Sequence, residues 1–242
     1  MTGSFTGTVK FGNNTYTAAN SNDLFIHKID TYNIGTARPT YTSNIDTTQK
    51  AKGIAVDSSG NIYATGTFQN TVNFGGGNIT SSGKVIYLLK LKVNQLNTFE
   101  FQWVKRFASD DGAAGQALGT AVTVDDDGNV YSVGQIGGNF NLGGQAVVSG
   151  SNNDAYIVKH DSSGTFQWSK TFGGGSGMDS HDKVQDIVIR CKTQSTTTTF
   201  EVNSATKSTE HMYMVIAINN YISTKVVTRT STVRLNPLKS SR

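Results

Sequence analysis

Short apolar runs alternate with clusters of Gly, Asn, Ser and Asp along the chain. Ile54-Ala55-Val56 and Ile62-Tyr63-Ala64 flank Asp57-Ser58-Ser59-Gly60-Asn61. Two β-rich runs around an Asp-x-x-Gly-Asn turn predict a hairpin, with Gly at the positive-φ position and Asp bonding back to the turn amides. Asp125-Asp126-Asp127-Gly128-Asn129 repeats that chemistry. Runs through Phe25, Tyr87 and Tyr156 predict third strands, and runs through Trp103 and Trp168 predict fourth strands. Gly75-Gly76-Gly77, Gly143-Gly144 and Gly173-Gly174-Gly175 punctuate them. No stretch sustains a helical apolar period, so no long helix is expected.

The pattern repeats. GSFTGTVKFG from Gly3, GTFQNTVNFG from Gly66 and GQIGGNFNLG from Gly134 align at steps of 63 and 68 residues. Behind each comes an apolar run ending in Lys28, Lys90 or Lys159. Phe101-Gln102-Trp103-Val104-Lys105-Arg106-Phe107 is then matched by Phe166-Gln167-Trp168-Ser169-Lys170-Thr171-Phe172, and Tyr41 holds the corresponding place in the first copy. The segment from Gly53 to Gly66 matches that from Thr120 to Gly134, with Thr for the leading Gly. Four short strands per roughly 65 residues, with a ribbon (Phe5 to Phe11, Val72 to Phe74) between the second and third, is the grammar of a propeller blade.

The string G-I-A-V-D-S-S-G-N-I-Y-A-T-G and the F-x-W-x-K-x-F strand resemble the seven-bladed beta-propeller repeat of bacterial surface and secreted proteins. The resemblance covers about residues 3 to 190. It implies the fold and a cell-surface or virion setting, and it carries no shared catalytic motif.

The expected fold class is therefore all-β, a propeller-like array of about three four-stranded blades in one domain spanning 1–235, with a basic tail at 236–242. Asp186 to Arg190 reads as a last inner strand, with Met212 to Ile216 as its partner and Ile216 in the place of Gly66 and Gly134. Lys192 to Glu210 reads as an inserted Thr/Ser-rich loop, and Tyr221 to Val233 as a further strand. Three blades do not close a ring, so open edges are expected near Leu24 to Lys28 and near Met212 to Val233.

Charged residues make up only 16% of the 242, which excludes a coiled coil or a charged disordered chain. The lone Cys191 precludes an intrachain disulfide. No apolar run approaches the roughly 18 residues of a membrane span, and no secretory leader is visible. Beyond Glu210 every charged residue is basic, so Lys225, Arg229 and Arg234 are candidate contacts for an acidic protein face; nucleic acid is a weaker match.

Asp125, Asp127 and Asn129 are weak candidate calcium ligands, since the turn gathers carboxylates, yet the closing bidentate acid is missing and a plain hairpin turn is the favoured reading. Met178 to Asp182 brings acids, Ser and His into one loop, but triads assemble from distant strands. Gly173 to Gly177 lacks the Lys-Ser/Thr of a phosphate cradle. Asn13-Asn14-Thr15 and Asn78-Ile79-Thr80 are sequons in nearly equivalent ribbon loops. Trp103, Trp168, Phe107 and Phe172 are expected in the core, while Tyr16 and Tyr41 remain candidates for stacking on sugars. The leading expectation is a non-enzymatic module that pairs with other subunits or with itself. A carbohydrate-binding propeller is the alternative, and a propeller glycosidase or lyase comes third.

Overall fold

The computed structural model describes residues 1–11, 13–18, 23–28, 40–42, 50–109, 117–144, 146–148, 154–172, 187–191, 198–206, 211–218 and 227–228. These residues are all strand and turn. The first sheet holds β1 (Thr2–Phe5), β4 (Asp23–His27) and β5 (Thr40–Thr42), in the order β1-β4-β5. A separate ribbon, β2 (Thr8–Phe11) and β3 (Asn14–Thr17), rises between β1 and β4. The second blade is the meander β6 (Lys50–Val56), β7 (Asn61–Asn73), β8 (Asn78–Val93) and β9 (Phe99–Ser109).

The third blade is β10 (Ala117–Val124), β11 (Val130–Ile136), β14 (Asp154–His160) and β15 (Phe166–Phe172). Its ribbon, β12 (Asn139–Asn141) and β13 (Ala146–Val148), joins the second blade instead of its own, because β12 pairs with β9. The second blade thus becomes a sheet of six strands, β13-β12-β9-β8-β7-β6. Strands β16 (Val188–Cys191), β17 (Thr198–Thr206), β18 (His211–Ile218) and β19 (Val227–Thr228) form the last sheet in chain order.

Four expectations need correction. The Thr/Ser-rich segment contains β17, which lies between β16 and β18, so Met212 to Ile216 is not the partner of β16. Its apolar alternation is confined to Phe200 and Val202 among polar Thr, Ser and Asn, too short to announce a strand. Ile216 consequently sits on a third strand and cannot stand for Gly66 and Gly134, which lie on second strands. Strand β4 is central in its sheet, so the edges there are β1 and β5 and not Leu24 to Lys28. The expected edge near Met212 to Val233 is met at β19, which is outermost in the last sheet, while β18 is flanked on both sides. Thr120 falls within a bulge of β10, and Ala121 opposite Val133 takes the place that Gly53 holds opposite Thr65.

The core lies between successive blades. Leu24 and Ile26 pack with Phe68, Val72, Phe74 and Tyr87 between the first and second. Ile86, Leu88 and Phe107 pack with Val130, Phe140 and Tyr156 between the second and third. Ile187 closes over Tyr131, Val133 and Ile157 beyond the third. Burying apolar side chains on both faces of a sheet is the main stabilising term in such an array.

Glycines set the spacing. A Cβ on Gly53 would stand 2.7 Å from the Ala121 Cα, so strands β6 and β10 approach backbone to backbone. A Cβ on Gly66 would strike the Lys50 carbonyl, and one on Gly134 the Leu118 carbonyl, at matching bulges of the first strand pair. That is why both repeats carry Gly there.

Candidate functional site

The residues with the most obvious chemistry cluster in a ladder that occurs twice. Asp57 Oδ1 accepts from the amides of Ser59 (3.0 Å) and Asn61 (2.8 Å). Its Oδ2 accepts from Asn61 Nδ2 (2.7 Å) and the Tyr63 hydroxyl (3.0 Å). Asp125 makes the same four bonds with Asp127, Asn129 and Tyr131, at 3.1, 2.7, 2.8 and 3.0 Å. Gly60 and Gly128 have φ of 78° and 79°, as the turn requires.

Of the three calcium candidates, Asp125 and Asn129 are thus spent on each other and on the hairpin, and the Asp127 side chain is exposed. Among the described residues no group of three His, Cys, Asp or Glu is placed to hold a metal ion. A carboxylate that already takes four donors locks a turn; it does not present an open face to a cation.

Two further turns of this kind join third to fourth strands and escaped the sequence reading. Asp161 Oδ1 accepts from the amides of Ser163 and Thr165 at 3.0 and 2.9 Å, and Gly164 has φ of 82°. Asn94 Oδ1 accepts from the Thr98 amide at 2.9 Å, with Asn97 at φ of 58° in the glycine position. Asn is among the few residues that tolerate this region, which hides the turn from a search for Gly.

Across each blade the ladder continues. Tyr63 lies opposite Lys90, and Lys90 opposite Trp103; Tyr131 lies opposite Lys159, and Lys159 opposite Trp168. Each lysine Nζ sits 5.3 Å from its tyrosine ring centroid. Trp103 tilts against Tyr63 at 6.1 Å and Trp168 against Tyr131 at 6.2 Å. Burial raises the Tyr63 hydroxyl pKa, and the bond to Asp57 and its charge add to this. Burial alone would raise Asp57, but the bonds from Asn61, Tyr63 and Ser59 win and hold its carboxyl below the usual range. Lys90 is lowered by burial, against the attraction of Asp57. Phe107 is buried as expected, whereas Trp103, Trp168 and Phe172 are only half-buried: the two tryptophans cover the ladder, and Phe172 packs at the margin of the core around Ala155 and Ile157.

A polar cleft of about 290 Å³ opens between the second and third blades, at the end of the sheets opposite the Asp turns. Lys50, Lys84, Gln69, Thr67, Leu118 and Gln135 line it. Beside it, Thr65 Oγ1 donates to the Tyr87 carbonyl at 2.7 Å and lies 3.4 Å from Ser132 Oγ, a polar link between blades.

Lys225, Arg229 and Arg234, the tail 236–242, the acid, Ser and His loop at 178–182 and the glycines at 173–177 lie outside the described residues, as does the Tyr41 side chain. Of the expected strand from Tyr221 to Val233, Val227–Thr228 is described. Tyr16 is half-buried and tilts against Phe11 at 5.9 Å. Asn13 and Asn78, the sequon asparagines, are both exposed on ribbons.

A family model described as a beta-propeller repeat matches residues 31–67, the stretch that runs from the last strand of the first blade into the second. No curated protein matches the chain. The beta-propeller repeat and the all-β sheets agree.

Proposed function

We propose that this chain is a non-enzymatic structural and interaction module, a propeller-repeat component of a larger surface or virion assembly. One observation carries the reading. The residue types that do chemistry elsewhere, Asp57, Asp125, Asp161, Tyr63, Tyr131, Lys90 and Lys159, are engaged by hydrogen bonds and ring contacts in repeated turns and ladders that hold blades in shape. A group whose hydrogen-bonding capacity is spent on its own fold is poorly placed for acid–base or nucleophilic work. The seven-bladed, surface-type character that the sequence resembles fits this role.

The polar cleft supports a second reading, a carbohydrate-binding propeller. Two lysines and two glutamine side chains around a cavity of about 290 Å³ offer donors and acceptors of the kind that sugar hydroxyls and carboxylates use.

The test is a panel of glycosidase and lyase substrates together with a glycan array. The module reading expects no turnover and no glycan bound. Turnover abolished by Lys84→Ala would overturn it in favour of an enzyme, and binding abolished by the same change would favour the glycan reading.

A further inference from the structure

The first three ribbons are equivalent element by element. Gly7, Asn70 and Gly138 hold corresponding positions and all have positive φ, at 63°, 66° and 88°. Thr8 and Thr17 hydroxyls meet at 3.1 Å, as those of Thr71 and Thr80 do at 2.9 Å. Phe11 packs on Phe25 at 4.7 Å and 41°, and Phe74 packs on Tyr87 at 4.8 Å and 41°. The first ribbon is therefore already folded into its docking shape.

Its surroundings differ. In the second blade Phe68, Val72, Phe74 and Tyr87 are no more than 1% exposed, and in the third Ile136, Phe140, Leu142 and Tyr156 are fully buried. Their counterparts in the first blade, Phe5, Val9, Phe11 and Phe25, are all only half-buried. What buries the later sets is the preceding blade. For the third blade the contact includes strand addition: Phe140 pairs with Ser109 and Asn141 with Ala108 on the outer strand β9. Val9 and Lys10 hold the places of Phe140 and Asn141, and among the described residues β2 pairs only with β3.

We infer that the ribbon β2–β3 and the aromatic face of Phe5, Phe11 and Phe25 dock on the outer strand of the last sheet of a second copy of this chain. The contact continues, between molecules, the blade-to-blade contact that the chain makes twice within itself, with β2 adding to the partner's outermost strand. Strand addition at a sheet edge supplies directional main-chain bonds, and the aromatic face supplies the apolar burial. A head-to-tail contact of this kind is heterologous and builds a ring or an open arc rather than a two-fold pair. It rests on the reading of the chain as an interaction module.

The experiment is sedimentation of the full chain over micromolar concentrations, with hydrogen exchange at the amides of 8–11. The parent is expected at twice the chain mass or more, with those amides slowing in exchange as concentration rises. Val9→Lys and Phe11→Asp should each raise the dissociation constant roughly tenfold or more. Val9→Lys leaves the Phe11–Phe25 contact in place and guards against a folding defect in the other variant.

A parent that stays monomeric at every concentration overturns the proposal, whether its ribbon amides are protected by its own terminal segment or unprotected. Association that survives both substitutions overturns it too. Neither result touches the module reading, which turnover and glycan binding decide.

Discussion

Lys90 donates its ammonium to the Ser162 carbonyl at 2.8 Å, reaching from the second blade to a turn of the third. The Trp103 indole N–H approaches the same oxygen at 3.4 Å, and a Cβ on Gly164 would stand 3.0 Å from the indole ring and 2.6 Å from Lys105 Cε. The ladder of one blade is thus the seat for the Asp161 turn of the next. Repeat proteins gain much of their stability from such nearest-neighbour interfaces.

Trp103→Ala should destabilise by about 2–3 kcal/mol, below the roughly 3–5 kcal/mol of a fully buried site, because the indole is only half-buried. Gly164→Ala should destabilise as well, through both its φ of 82° and the collision with Trp103. In the double variant the contact with the indole is gone, and the backbone strain and the contact with the flexible end of Lys105 remain. Urea denaturation of the cycle should therefore give a coupling of about 1 kcal/mol; strictly additive costs would show that the turn does not rest on the indole.

Asp125→Ala should cost about 1–3 kcal/mol, since it removes both acceptor oxygens from four donors at the hairpin. Calorimetry of the parent with millimolar calcium should show an unchanged melting temperature. A marked rise, lost in the Asp125 variant, would restore the metal reading.

Gly134→Ala should be worse than Gly128→Ala. At Gly128 the cost is a φ of 79° plus a Cβ 3.2 Å from Ser162, on the order of 1 kcal/mol or somewhat more. At Gly134 the new carbon would meet the Leu118 carbonyl, a backbone atom fixed by the bulge, and lie 2.8 Å from the Tyr156 ring. Overpacking of that kind costs about 1–3 kcal/mol and at times more. Equal thermal shifts for the two variants would mean that the bulge yields easily.

The sequence displayed the blades because short strands and Asp-Gly-Asn turns leave local marks: Asp57 and Gly60 are three residues apart in the same turn. It hid whatever depends on a neighbouring blade. Nothing in Asn139-Phe140-Asn141 tells that this strand pairs with β9 and not with its own blade. Trp103 and Trp168 recur at blade spacing as core residues do, yet they lid a polar ladder and stay half-exposed. Strand β17 was hidden by composition, since a Thr/Ser-rich strand whose apolar alternation stops at Phe200 and Val202 looks like a loop. At the ladder, Asp57 and Asp125 were legible as turn residues, but the tyrosine, lysine and tryptophan that complete it come from three other strands.

His160 is expected to make the fold acid-sensitive. It stands one residue after Lys159, the place that Leu91 takes after Lys90, and it is 1% exposed. Phe107 stacks on it at 5.6 Å, Phe166 meets it edge-on at 6.0 Å, and its Nδ1 has no hydrogen-bond partner. Burial, helped by the charge of Lys105 and opposed by that of Asp161, lowers its pKa to about 4. The neutral ring is the folded form, while the unfolded chain takes up a proton near pH 6.5. Stability from this residue is therefore complete above about pH 6.5, falls as the pH drops towards 4, and levels off below, a total of roughly 3 kcal/mol. Asp57, also depressed, adds its loss only at lower pH, below the usual carboxylate range. His160→Leu installs the side chain that the second blade already uses and should flatten the stability profile between pH 6.5 and 4. If urea midpoints of parent and variant fall in parallel across that window, another group carries the acid sensitivity.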